Sequence, residues 1–163
     1  MYRRRLWLRN FLAVSVLLPL LLGSASPALA QQKAEKSLYE RLGKYDALAA
    51  VTDDFIGRLA TDPQLGRFFI GLSADSKKRV RQLVVDQLCE ATGGPCFYIG
   101  RAMKAAHAGL GISEADWQAA VKHLVASLDK FEVPQKEKDE LLAIASSLKP
   151  EIVASPGPGE LKK

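Results

Sequence analysis

Imidazoles and thiols are scarce in this chain: its 163 residues hold two histidines, His107 and His123, and two cysteines, Cys89 and Cys96. Two histidines cannot build the multi-histidine clusters on which most zinc and non-haem iron sites depend. Aromatic residues make up only 7% of the chain. No stripe of aromatics interleaved with Lys and Arg follows the N-terminal segment, so a pI of about 9.3 is no mark of a nucleic-acid partner. No run of alternating apolar and polar residues reads as a strand, and neither an internal repeat nor a second domain is visible. The longest apolar run, Phe11 to Leu22, contains Pro19 and falls short of the roughly 20 residues that a membrane-spanning helix needs.

What is present begins with that N-terminus. Arg3, Arg4, Arg5 and Arg9 precede the apolar run, and Ala28-Leu29-Ala30 supplies the small-x-small pattern that a signal peptidase accepts. Residues 1–30 are predicted to be a cleaved signal peptide of an exported, periplasmic protein, with no stable membrane insertion after cleavage. They carry four arginines and no acid, so the formal charge of +5 on the whole chain becomes +1 on residues 31–163. Residues 31–36 read as a polar leader, 37–153 as one folded domain and 154–163, with Pro156-Gly157-Pro158-Gly159, as a flexible tail.

The folded part is all-α by pattern. Ser37 with Glu40 forms a possible capping box. Leu48, Val51, Phe55 and Leu59 recur at helical spacing from Asp46 to about Ala60, where Asp62-Pro63 ends the segment. Val80, Leu83, Val84, Leu88 and Ala91 stripe a helix from Asp75 to Ala91, stopped by Gly93-Gly94-Pro95. A short helix over Arg101–His107 is closed by Gly109 and Gly111. Ser113 with Asp116 then caps a helix to about Lys130 along Trp117, Ala120, Val121, Leu124 and Leu128, and Pro134 opens a last one through Leu148.

Two histidines leave a site needing a single imidazole open, and haem is one such site because the porphyrin brings four nitrogens of its own. No Cys-x-x-Cys-His occurs, so any haem is held noncovalently. Leu38-Tyr39-Glu40-Arg41-Leu42-Gly43, Asp54-Phe55, Asp62-Pro63, Leu65, Phe68-Phe69, Ala91 to Pro95, Tyr98, Gly100, Met103 and Ala106-His107 with Gly109 to Ile112 form an ordered series. It resembles the truncated haemoglobins, group I in particular, over roughly Ser37 to Val153. The resemblance implies a two-over-two helical sandwich around haem b, with His107 as the proximal iron ligand and Phe69 wedged against the porphyrin. It places Val80, Val84, Tyr98, Met103, Ile112 and Trp117 in or beside the pocket. His123, on the apolar helix between Trp117 and Leu128, reads as a buried structural residue with one hydrogen-bond partner.

On the distal side the chain departs from that family. Ile56 stands where many group I members carry a tyrosine able to donate a hydrogen bond to the gas, and Val80 and Val84 stand where polar groups are common. Gln82 and Gln87 are the nearest polar candidates on that helix. The implied activity is reversible binding of oxygen, nitric oxide or carbon monoxide. Two alternatives are a haem redox enzyme, a nitric oxide dioxygenase or peroxidase served by a reductase, and a haem-free helical interaction module. Lys78, Arg79 and Lys104 are candidate propionate partners. Cys89 and Cys96 flank the glycine turn, where a disulfide and a buried thiol are equally open readings.

Overall fold

The computed structural model describes residues 35–154. The signal peptide, most of the polar leader and the tail after Ala154 lie outside the described residues. Among the described residues seven α-helices follow one another: α1 Leu38–Arg41, α2 Lys44–Thr61, α3 Ala74–Ala91, α4 Met103–His107, α5 Glu114–Lys130, α6 Gln135–Ser147 and α7 Lys149–Ile152, with a 3-10 turn at Gly66–Phe69. There is no strand among the described residues.

Local chemistry sets the boundaries. Ser37 and Ser113 each close a reciprocal capping box, with Glu40 and Asp116 as the third helical residues; Ser73 accepts from the Ser76 amide at the start of α3. Each cap removes an unsatisfied amide from a helix end. Gly43 turns the chain between α1 and α2 in the left-handed region, at φ 92°. Pro134, whose missing N–H costs nothing there, precedes α6.

The long helices pack as α2 on α3, α2 on α5, and α5 on α6. A fully covered core forms where α2, α5 and α6 meet, from Val51, Leu124, Leu128 and Leu141, with Leu42, Phe55, Leu88, Val133, Leu142 and Ala145 packed around it. On α3, Val85 and Cys89 are completely buried. Charged ties reinforce these contacts. Asp54 on α2 accepts from Arg58 Nε at 2.6 Å, Ser127 Oγ at 2.8 Å and Lys130 Nζ at 2.6 Å. Chiefly the Arg58 bond, then Lys130 and Ser127, holds its carboxyl far below the ordinary carboxylate range. Arg81 forks onto both oxygens of Asp53 at 2.7 and 2.8 Å, joining α3 to α2, while Arg41 pairs with Glu137 and Glu140 of α6.

Cys89 and Cys96 are joined as a disulfide with Cα atoms 5.7 Å apart, which settles the question the spacing left open. The bond fastens the end of α3 to the loop leading to Tyr98, and closing so short a loop contributes about 2.5 kcal/mol in the chain-entropy account. Gly94 is obligatory inside it. A Cβ there would lie 2.6 Å from Cys89 Sγ and 2.6 Å from the Tyr39 ring.

Candidate functional site

Several large apolar side chains of α2 to α5 and of the segments between them are only half-buried. Ile56 on α2, Phe69 ending the 3-10 turn, Val80 and Val84 on α3, Met103 on α4, Ile112 before α5 and Trp117 within it all share this state. Val80, Val84 and Gln87 follow one another at four and three residues on a single face of α3, the spacing of successive turns. Buried cores of this size ordinarily close over such residues. Here large apolar groups from five separate segments are left partly uncovered, and their chemistry would suit contact with a flat apolar group.

One imidazole belongs to that set. His107, half-buried, is the last residue of α4, and its Nδ1 lies 2.9 Å from the Met103 carbonyl oxygen. A carbonyl can only accept, so Nδ1 carries a proton and the ring orientation is fixed, and in a neutral ring of this orientation Nε2 is the nitrogen that a metal takes as ligand. The donor set therefore fits a haem iron. Among the described residues no three His, Cys, Asp or Glu side chains converge to offer a competing metal site. His123 is engaged otherwise. Its Nε2 lies 2.8 Å from Asp62 Oδ2, and Asp62 also accepts from the amides of Gln64 and Leu65, so this imidazole has the single side-chain partner expected of a structural residue.

Tyr98 is half-buried in the loop after the disulfide, and its hydroxyl donates to the Arg101 carbonyl at 2.7 Å. The hydroxyl is spent on folding its own loop, and burial pushes its pKa up. Gly100 is required beside it, since a Cβ there would fall 2.2 Å from the Tyr98 oxygen. The two glutamines of α3 part company. Gln82 turns to the outside, donating to Tyr45 Oη at 2.7 Å and Asp86 at 2.8 Å, whereas Gln87 is half-buried on the Val80–Val84 face. Arg79 and Lys104 are exposed, and Lys78 sits 3.7 Å from Asp75.

One contributor escapes sequence reading beyond its local cap. Asp116 is 1% exposed and accepts from the Ser113 amide and hydroxyl, from Gln64 Nε2 at 2.8 Å and from Arg67 at 2.8 Å. It pins the segment that carries Phe69 to the start of α5. Hydrogen bonds from Ser113 above all, against the opposing effect of burial, lower its pKa from 3.8 to about 2. The folded protein thus prefers the ionised form more than the unfolded chain does. That stabilisation is complete above 3.8 and is lost as the pH falls toward about 2. Asp116→Asn is expected to cost about 2 kcal/mol in denaturant unfolding at neutral pH, with the gap to the unmodified protein narrowing at about pH 3. A gap that is absent at neutral pH, or that widens in acid, would contradict this account.

An all-helical fold with α2 packed on α3 and α5, and a short helix ending in an oriented imidazole, agree with a globin of the shortened kind. The bacterial-like globin family matches the chain over residues 37–154. The chain is 35% identical over 122 residues, 74% of this chain and 88% of the relative, to the Group 1 truncated hemoglobin GlbN of Mycolicibacterium paratuberculosis. Among solved structures it is similar to the 2/2 hemoglobin of Synechococcus sp. PCC 7002, in the cyanomet state and with covalently attached heme, at 30% identity and TM-score 0.63, covering 70% of this chain and 94% of that one. The Fe(III) truncated hemoglobin of Tetrahymena pyriformis shares the fold at 22% identity and TM-score 0.68, over 74% of this chain and all of that one. The chain belongs to the bacterial-like globins and, within them, to the group 1 truncated haemoglobins. It is accordingly a haem-binding protein of the diatomic-gas class.

Proposed function

We propose that this protein is an exported haem b globin that binds a diatomic gas at an iron held by Nε2 of His107, with an apolar distal side. The observation that carries the reading is the 2.9 Å contact from His107 Nδ1 to the Met103 carbonyl, which fixes the tautomer and aims the other nitrogen. When bound, haem would supply an iron able to take a gas as ligand. The chain's part is to seat and surround it. Phe69, Val80, Val84, Tyr98, Met103, Ile112 and Trp117 provide apolar contact, and Ile56, Val80, Val84 and Gln87 form the side where the gas enters. Attachment is noncovalent as regards sulfur, since both cysteines are consumed in the disulfide.

The distal set favours carbon monoxide and nitric oxide, which depend less than oxygen on a hydrogen-bond donor, and so supports ligand or redox sensing over oxygen storage. The redox-enzyme reading has less support. Peroxide cleavage draws on a distal acid and base, and Ile56, Val80, Val84 and Gln87 carry no ionisable group. A reductase partner enters only with that second reading. Export to the periplasm rests on the N-terminal arginines, the apolar run and Ala28-Leu29-Ala30, and the Cys89–Cys96 bond supports it because disulfides persist in oxidising compartments.

Titrating residues 31–163 with haem and recording the ferrous and carbon monoxide spectra tests the proposal. Uptake of one haem per chain with an intense Soret band and rapid carbon monoxide binding is expected. Absence of stoichiometric uptake leaves a helical interaction module as the better account, and fast turnover of peroxide or nitric oxide shifts the assignment to the redox enzyme.

A further inference from the structure

Helix α4 cannot hold itself in place. It has five residues, its N-cap Ala102 offers no side-chain acceptor, and isolated helices of that length do not persist in water. Its support comes from far along the chain. Helix α7 packs on α4, and Glu151 Oε2 accepts from the backbone N–H of Lys104, the second residue of α4, at 3.4 Å. Three residues further on, the Ala154 amide donates to the Ile112 carbonyl at 2.8 Å. At its own start the segment is fixed by Lys149 Nζ, which donates to Glu114 at the head of α5 at 2.8 Å. Three ties thus leave the six residues Lys149–Ala154, and two of them land on either side of His107.

We propose that Lys149–Ala154 is a strap that positions the His107 imidazole, with Glu151 as the positioning residue that supplies from outside the acceptor which α4 lacks at its own N-terminus. An anionic side chain at that end also complements the partial positive charge of the exposed amides. His107 is the last residue of α4, so a rotation or fraying of this helix moves Nε2 directly. The tie at Ile112 limits the same motion from the other side. This inference rests on His107 being the iron ligand only for its consequence, since the strap itself is a property of the polypeptide.

The test compares Glu151→Ala with Glu151→Gln in the full chain. Hydrogen–deuterium exchange over residues 103–112 is read without haem, and the haem-loss rate and ferrous iron–histidine stretching band are read with it. Glu151→Ala is expected to speed exchange in α4 by about fivefold, the factor carried by loss of an ordinary helix cap, to accelerate haem loss and to shift or broaden the band. Glu151→Gln, whose amide oxygen can accept the same bond, is expected to stay close to the unmodified protein. Unchanged α4 exchange in Glu151→Ala, acceleration spread evenly over all helices, or failure of Glu151→Gln to restore the band overturns the proposal. Loosening confined to α4 in a chain that takes up no haem upholds the strap and overturns the haem reading instead.

Discussion

His107→Gly should lose the histidine-ligated ferrous spectrum altogether, and millimolar imidazole should bring it back. Nδ1 of His107 is already committed to the Met103 carbonyl, and the chain's other imidazole is held by Asp62, so no protein nitrogen is placed to substitute. Removing even an outer-shell partner of a metal ligand costs about 10- to 100-fold in affinity. Loss of the ligand itself should exceed that, and the haem-loss rate measures it. Free imidazole can fill the space because glycine leaves it vacant while Met103 still offers its carbonyl oxygen. A spectrum indifferent to His107→Gly would transfer the ligand role to His123, and Asp62→Ala, which frees that ring, would then change the spectrum where His107→Gly did not.

Features that depend on near neighbours could be read directly from the sequence. Both capping boxes pair residues three apart, Ser37 with Glu40 and Ser113 with Asp116, and the stripe from Val80 to Ala91 marks α3 to its last residue. The family resemblance supplied the candidate pocket residues, which no local pattern could have gathered. Features set by distant partners were not legible. The 3-10 turn at Gly66–Phe69 has no periodic signature, and the buried carboxylate that anchors it looks in sequence like an ordinary helix cap, because Gln64 and Arg67 reach it from 52 and 49 residues away. The short helix begins at Met103 instead of Arg101, since Arg101 lends its carbonyl to Tyr98. The last helix breaks at Leu148 and resumes as α7. Pro150 in the first turn of α7 gives the break a local cause, because it has no N–H to donate to the preceding turn, but where the segment beyond it packs, against α4, is set by tertiary contact.

Ile56→Tyr should slow oxygen dissociation by about 10- to 100-fold, the kinetic equivalent of one hydrogen bond of 1.5 to 3 kcal/mol to a partly charged ligand. Ile56 is half-buried on α2 directly after Phe55, on the side where the family resemblance places the gas. An aromatic ring is larger than the side chain it replaces, and crowding can cost about 1 to 3 kcal/mol of stability. Ile56→Phe supplies the same ring without the hydroxyl and separates the two effects. Carbon monoxide dissociation should be nearly the same in Ile56→Tyr and Ile56→Phe, because that ligand gains little from a donor, while oxygen dissociation should differ between them by the full factor. Equal oxygen rates in the two variants would mean that position 56 does not face the gas, and the polar residue to test next is Gln87, which alone on the Val80–Val84 face of α3 could donate in its place. Oxygen held long by the unmodified protein, together with an effect of Gln87→Leu, would replace the apolar distal side with a glutamine-gated one and return oxygen binding to the head of the list of functions.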